Sequence, residues 1–170
     1  MALLVSGVAF AQTYPDRNIK IMQGFAPGGN ADAIARAVGS EISKSVGQAV
    51  VVEAQAGAGG TIAATTVAKA KPDGYTLLLA TGGHAVAGAI YNNLNYKTVQ
   101  DFEMVSTITY FPFLIVINAE NKIANFPALL NQAKANPGKI AYGTAGIGST
   151  HHLAGELLAS MAKADLLHVP

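Results

Sequence analysis

The sequence predicts an α/β protein with parallel strands and helices packed on both faces of the sheet. Short apolar runs alternate with helical patterns from residue 18 to residue 91, which is the order that βαβ units produce. The runs at residues 50–52 and 77–80 are apolar throughout. Such runs are typical of parallel strands that are covered on both faces.

Each element of the first half follows from a local pattern. Residues 18–25 form the first apolar strand, which a Pro-Gly-Gly turn ends. The segment 31–46 has apolar residues four apart, which form one stripe of a helix. These residues are Ile34, Val38, Ile42 and Val46. The patterns that follow predict a strand at 49–52, a Gly-rich loop at 55–60, a helix at 61–70, a turn at 71–74, a strand at 75–80, a loop at 81–83 and a helix at 84–91.

The rhythm changes in the second half, which indicates a second domain. Two apolar runs, 104–109 and 113–117, follow each other without a helix between them. Pro127 near a first turn indicates a helix from 125 to 135, and later patterns predict a strand at 140–142, a helix at 149–162 and a strand at 166–169. We place the crossover at 107–112, so that 12–107 forms the N-terminal part of domain I and 108–170 a partial domain II.

Composition excludes several classes of function. The 170 residues are 51% hydrophobic and 12% charged, which is far from a disordered composition. The net charge of +1, without a basic run, argues against a nucleic-acid partner and against an anionic membrane surface. The absence of cysteine from the sequence excludes disulfides, thiol catalysis and cysteine-based zinc sites.

The N-terminal residues 1–11 resemble the remnant of a secretory signal peptide. Residues 2–11 are an apolar run that ends Ala9-Phe10-Ala11 before polar Gln12. An apolar segment followed by an A-x-A pattern is typical of a cleaved signal, and the run is too short to span a bilayer. We expect export to the periplasm, cleavage near Ala11 and no stable membrane insertion. The alternative is a buried first strand.

Three loops that leave strand ends are bare enough to hold an anion by backbone groups. They are residues 26–30, 81–83 and 143–148. Ligands of open α/β sheets lie beyond the carboxyl ends of the strands, and helix N-termini offer unpaired N–H groups with partial positive charge. Asn30 and either Ser149 or Thr150 are the expected caps of two such helices. The alternative is that all three loops are ordinary βα turns.

Motifs for chemistry are missing. The sequence contains no P-loop, no G-x-G-x-x-G and no G-x-S-x-G. His151 and His152 would lie about 100° apart on a helix, so they are poorly placed to share a metal. We therefore expect no catalytic residue, no metal and no cofactor. The rival hypothesis is a doubly wound enzyme in which His84 or His152 is a base, although a structural role is the commoner one for a lone histidine.

Several short motifs together resemble the Bug family of extracytoplasmic solute receptors, the substrate-binding proteins of tripartite tricarboxylate transporters. They include Tyr14-Pro15-Asp16-Arg17, Phe25-Ala26-Pro27-Gly28-Gly29 with Asp32, and Gly57-Ala58-Gly59-Gly60. Further matches are Pro72-Asp73-Gly74-Tyr75, Ala135-Asn136-Pro137-Gly138, Tyr142-Gly143 with Ala145-Gly146, His152-Leu153-Ala154-Gly155-Glu156 and His168-Val169-Pro170. Their order and spacing cover nearly all of the chain after residue 13.

The resemblance implies a periplasmic-binding-protein-like fold of type II, in which two α/β domains close on a ligand. It implies that the chain captures a small carboxylate for the membrane components of a tripartite tricarboxylate transporter. Backbone N–H groups of Gly28, Gly29, Gly146 and Gly148 are the expected donors, while Asp32 and His152 order loops. The loop 55–61 is expected to be structural, with contact to the ligand cleft as the alternative. The full set of expected site residues is Ala26, Pro27, Gly28, Gly29, Asn30, Asp32, Thr81, His84, Thr144, Ala145, Gly146, Gly148, Ser149 and His152.

The resemblance also implies a longer protein. Family members continue beyond the closing His-Val-Pro, complete domain II and return to domain I. We therefore expect an incomplete second domain here, and we keep the alternative that the chain is a non-functional fragment of a receptor.

Overall fold

The computed structural model describes residues 13–170, so the signal peptide expected at 1–11 lies outside the described residues. The first half contains β1 (Ile19–Gln23), α1 (Asn30–Val46), β2 (Val50–Ala54), a short 3-10 helix (Ala58–Gly60), α2 (Thr61–Ala68), β3 (Thr76–Leu79) and α3 (Gly82–Ile90). The second half contains α4 (Phe126–Ala135), β4 (Ile140–Gly143), α5 (Thr150–Ala162) and β5 (Leu166–Val169). Among these helices, none is both long and apolar enough to cross a membrane.

The first sheet is parallel, with strand order β2-β1-β3. Ile21 is opposite Val52 on one side and Leu77 on the other. Only the central strand is largely buried, whereas β2 and β3 are half-buried or exposed along their length. The prediction that the apolar strands are covered on both faces is therefore wrong for β2 and β3, because both are edge strands of a three-stranded sheet.

Helix α1 packs against the sheet through its smallest residues. Ala35 and Gly39 are buried, whereas Ile34, Val38, Ile42 and Val46 are half-buried beside them. A Cβ at Gly39 would lie 3.1 Å from Val50 Cγ1, so glycine permits this close approach. The helix ends at Gly47, whose positive φ of 70° suits a left-handed C-cap.

The second half forms a separate two-stranded parallel sheet, β4-β5. Asn125 caps α4 by accepting a hydrogen bond from the Ala128 N–H at 2.9 Å, and Ser149 caps α5 through the His152 N–H at 3.2 Å. These predicted helix starts are confirmed, as are the approximate positions of all the predicted helices and strands.

Two local predictions are wrong. Asn30 is not the cap of α1: it is the first helical residue, and Gly29 precedes it without a side-chain cap. The reason is that the Asp32 carboxylate turns back to the loop and accepts from the Gly28 N–H. Gly82 and Gly83, expected in a loop, form the first turn of α3. The His84 N–H donates to the Thr81 carbonyl at 2.9 Å, which starts the helix earlier.

Residues 104–117 form neither helix nor strand. Their two apolar runs are exposed, with Val105, Leu114 and Val116 each at least 80% accessible. This segment separates the two sheets, close to the expected crossover. The domain boundary at 107/108 remains a prediction.

Candidate ligand-binding site

The loops that follow β1, β2 and β3 meet at one edge of the first sheet, because parallel strands end on the same side. A small cavity at this edge is lined by residues of all three loops. Its lining residues are Gly24, Phe25, Gly59, Gly60, Leu78, Leu79, Ala80, Thr81 and His84. The structure thus brings Gly24 and Phe25, directly before the predicted loop 26–30, close to Thr81 of the predicted loop 81–83, with the Gly-rich loop 55–60 between them.

Glycine makes these contacts possible. A Cβ on Gly24 would overlap the Gly60 Cα, so the loops that follow β1 and β2 touch through bare backbone. A Cβ on Gly83 would lie 3.1 Å from the Gly59 carbonyl oxygen. The loop 55–60, for which a structural role was expected and cleft contact was the alternative, therefore lies at the centre of the site. Its sequence signal was the Gly57-Ala58-Gly59-Gly60 run itself.

The loop after β4 approaches the same place from the second sheet. A Cβ on Gly59 would lie 2.8 Å from the Gly148 carbonyl oxygen, and the Tyr91 hydroxyl donates to the Ile147 carbonyl at 3.3 Å. Gly82, at the start of α3, lies against the Thr150 side chain. Residues 144–149 therefore face the α3 end of the first sheet. Gly28, by contrast, faces open space, since a Cβ there would meet nothing within 4 Å.

All four backbone donors expected for the ligand already have intramolecular acceptors. The Gly28 N–H donates to Asp32 Oδ2 at 3.0 Å and the Gly29 N–H to the Ala26 carbonyl at 3.3 Å. The Gly146 N–H donates to Thr144 Oγ1 at 3.2 Å and the Gly148 N–H to His152 Nδ1 at 3.3 Å. An anion must displace or share these acceptors.

Other donors remain at the starts of two helices. Within residues 13–170, the N–H groups of Ala31 and Asp32 in α1, and of Thr150 and His151 in α5, have no hydrogen-bond acceptor. First-turn N–H groups of a helix carry partial positive charge and favour an anion. The glycine loops therefore shape the approach to these donors.

Asp32 holds the first loop in place. It is 5% exposed, and its Oδ2 accepts from Gly28 N–H and from Arg36 Nε at 2.9 Å. The Arg36 guanidinium, and after it the Gly28 N–H, hold the pKa of Asp32 below its ordinary value, against the opposing effect of burial. This geometry agrees with the expected ordering role of Asp32.

His84 is packed as a structural residue. It is 9% exposed, and its Nε2 is 2.9 Å from the Thr98 carbonyl oxygen. Its ring stacks with Tyr96 at 5.8 Å between centroids and meets Phe102 edge-on at 4.8 Å. The ring lines the cavity, but the hydrogen bond and the packing fix its position, so the structure gives no support to a catalytic base at this position.

The expected site residues fall into two groups. Ala26, Pro27, Gly28, Gly29, Asn30 and Ala145 are exposed and accessible to a ligand. Asp32, His84, Gly148 and Ser149 are buried, and Thr81, Thr144, Gly146 and His152 are half-buried. No group of three or more histidines and carboxylates is placed to hold a metal in the part of the chain that the structure describes.

His168, in β5, contacts Thr144 in the loop 143–148, a position that the sequence motifs did not predict. The register of β4 and β5 puts it opposite Tyr142, and its Nε2 lies 2.7 Å from Thr144 Oγ1. Pairing the two strands in register would have shown this position.

Comparison with known proteins identifies similar receptors. A family described as "Tripartite tricarboxylate transporter family receptor" matches residues 34–170. The solved structure of the periplasmic binding protein BugD is 34% identical with a TM-score of 0.78, and the match covers 92% of this chain and 52% of that one. This likeness confirms the predicted periplasmic-binding-protein-like α/β fold.

Two further similar structures contain small carboxylates. A protein of R. palustris with adipate is 32% identical with a TM-score of 0.87, over 92% of this chain and 53% of that chain. MatC from Rhodopseudomonas palustris, with bound malate, is 34% identical with a TM-score of 0.82, over 92% and 54%. The chain spans about half the length of the curated relatives it matches.

Proposed function

Because the chain belongs to the tripartite tricarboxylate transporter receptor family, we propose that it binds a small carboxylate for such a transporter. The bound acid lies at the loop edge described above, between the first sheet and the start of α5. The receptor passes the acid to the membrane components of the transporter and performs no chemistry on it. We place it in the periplasm, after cleavage of a signal near Ala11.

One observation carries this proposal. Uncommitted N–H donors at the starts of α1 and α5 border loops without charged side chains other than the Asp32 carboxylate, which already has its own partners. A carboxylate can bind such donors without a lysine or arginine. The adipate and malate in two similar structures are of the chemical class that these donors favour.

Binding is tested by calorimetry of the full chain with adipate, malate and adipamide. Adipamide has the same carbon chain as adipate but no negative charge, so it should give no saturable heat. Saturable binding of adipamide equal to that of the acids would contradict recognition by anion donors. An absence of binding for every small carboxylate tested would contradict the proposed function.

The location of the site is tested by adding a negative charge to the loop 143–148 and measuring the affinity for the acid. Ala145 is exposed in the loop 143–148, so Ala145→Asp places a carboxylate near the proposed anion. Like-charge repulsion should weaken acid binding by about tenfold or more, the equivalent of ~1.4 kcal/mol. Ala119→Asp adds the same charge at an exposed turn outside the site and should leave the affinity unchanged.

One observation favours the alternative of a fragment that does not act as a receptor alone. Residues 104–117 expose a run of apolar side chains that a folded receptor would cover. Size-exclusion chromatography, circular dichroism and calorimetry with adipate together separate the alternatives. A cooperatively melting monomer that binds acid would contradict the fragment, whereas a cooperatively melting monomer that binds no acid would be a stable but inactive unit. A chain that binds acid only after its self-association is prevented would be a receptor whose acid binding is blocked by association through residues 104–117.

A further inference from the structure

Two histidines of the second half form a stacked pair beside the candidate site. The rings of His152 in α5 and His168 in β5 are 4.1 Å apart between centroids, with 27° between their planes. His152 has 22% of its side chain exposed, and His168 is also half-buried. The pair is thus partly accessible to solvent protons while its rings are held in place.

The two histidines are linked by hydrogen bonds to glycines of the loop 143–148. His152 Nδ1 accepts from the Gly148 N–H at 3.3 Å. His168 Nε2 lies 2.7 Å from Thr144 Oγ1, which itself accepts from the Gly146 N–H at 3.2 Å. One histidine therefore binds the loop directly, and the other binds it through a threonine hydroxyl.

The direct contact requires His152 Nδ1 to act as an acceptor. Since the Gly148 N–H donates to Nδ1, that nitrogen carries no proton, and in the neutral ring the proton is on Nε2. Nε2 lies 3.9 Å from Glu156 Oε1, beyond hydrogen-bond distance. A proton added at Nδ1 would remove the acceptor, release the Gly148 N–H towards the loop and add a positive charge beside it.

Two other ionisable side chains face the pair. Glu156 faces the pair from α5, and Tyr142 faces it from β4, with its ring 5.1 Å from that of His168. The Tyr142 hydroxyl donates to Glu156 at 2.7 Å.

We propose that His152 and His168 are positioning residues that couple carboxylate binding to the uptake of a proton. This inference depends on the proposed function, because the anion is the carboxylate that the receptor binds. The neutral pair holds the Gly148 N–H in an internal hydrogen bond. Protonation frees that donor, and the bound anion stabilises the resulting imidazolium. Affinity should therefore rise as pH falls across the range in which histidine titrates.

Calorimetry of the full chain with adipate tests the coupling. We expect affinity to be about tenfold higher at pH 6 than at pH 8, the factor that corresponds to a change of one pKa unit. In buffers of different ionisation enthalpy at pH 7, binding should be accompanied by proton uptake. Binding with the same affinity at both pH values and with no proton uptake would overturn the coupling and leave the proposed function intact.

Matched variants separate positioning from folding. His152→Asn retains an acceptor near the position of Nδ1 but cannot titrate, and His168→Gln does the same near Nε2. Both variants should bind adipate with a much smaller pH dependence than the parent chain. Full dependence in His152→Asn would overturn the role of His152.

A measurement without ligand tests the pair even if no acid binds. The amide resonance of Gly148 should shift with pH between about 5.5 and 8 in the parent chain, because its acceptor is lost on protonation. The shift should be absent in His152→Asn. An amide resonance that does not respond to pH in the parent chain would overturn the inference, whereas adipate titrations in which the chain binds no acid would contradict the proposed function instead.

Discussion

At the scale of single residues, Asp32 combines burial with charge and makes a pH-dependent contribution to stability. Its pKa in the folded chain is below the ordinary aspartate value of about 3.9. The stabilisation is therefore fully present above that value and is lost as pH falls through the lower, folded pKa. Asp32→Asn should be less stable than the parent at pH 7, and the difference should shrink towards pH 3.

Urea unfolding followed by circular dichroism at pH 7, 5 and 3 measures this difference. Glu41→Gln is the matched control, because Glu41 pairs with Lys44 at 2.7 Å on the exposed face of the same helix. Exposed pairs of this kind contribute little, so the control should unfold almost like the parent at every pH. A gap between Asp32→Asn and the parent that persists unchanged at pH 3 would contradict the role of the Asp32 charge.

The residues at the start of α1 show what sequence reasoning can and cannot decide. The motif located the bare loop and the helix that follows it correctly. It assigned the cap to Asn30 and the ordering of the loop to Asp32, two residues of the same first turn. The structure selects Asp32, because Arg36 one turn later provides its partner at 2.9 Å. Likewise, four expected glycine donors were found to be engaged, a property of local geometry that residue types do not reveal.

At the scale of elements, Asn125 determines where α4 begins. Its side chain accepts from the Ala128 N–H at 2.9 Å, and loss of such a cap costs about 1 kcal/mol, with a range of 0.5–2. Asn125→Ala should therefore lower the stability of α4 by about 1 kcal/mol. Hydrogen exchange of the α4 amides measures this local effect.

Asn131→Ala is the control for the cap. Asn131 is exposed in the interior of α4, where alanine is a better helix former than asparagine. That variant should exchange as slowly as the parent or more slowly. Faster exchange in Asn131→Ala, or unchanged exchange in Asn125→Ala, would contradict the assigned cap.

Elements also mark where the sequence pattern loses information. Helices and strands were placed to within a few residues, because apolar periodicity and turn residues are local signals. Strand order is not local. The apolar run of β3 is the same whether the strand is central or at an edge, and only the pairing β2-β1-β3 shows that β3 is an edge strand. The exposure of Val51 in β2 follows from the same order.

At the scale of the whole molecule, the two sheets meet through Gly59 and the loop after β4. Gly59 and Gly47 both have positive φ, 63° and 70°, so alanine at either site costs roughly 1–2 kcal/mol in backbone strain. Only at Gly59 would the added Cβ approach another part of the chain, the Gly148 carbonyl oxygen at 2.8 Å. Gly59→Ala should shift the amide resonances of residues 146–149, and Gly47→Ala should not. Equal spectra for the two variants in this loop would show that the sheets do not meet there.

The apolar segment 104–117 should make the chain associate with other copies of itself. Its apolar side chains are exposed, and its backbone groups make no hydrogen bonds to other backbone groups of residues 13–170. Unpaired extended backbone with apolar side chains is a template for pairing with another chain. Light scattering on a size-exclusion column should therefore show a mass that rises with protein concentration.

The double variant Leu114→Lys with Val116→Lys should reduce the association, because it places charge on two side chains that are 80% and 83% exposed. Gln100→Lys with Asn121→Lys adds the same charge at exposed positions outside the segment and should associate like the parent. If the parent stays monomeric at every concentration, or if both double variants reduce association equally, the segment does not drive self-association.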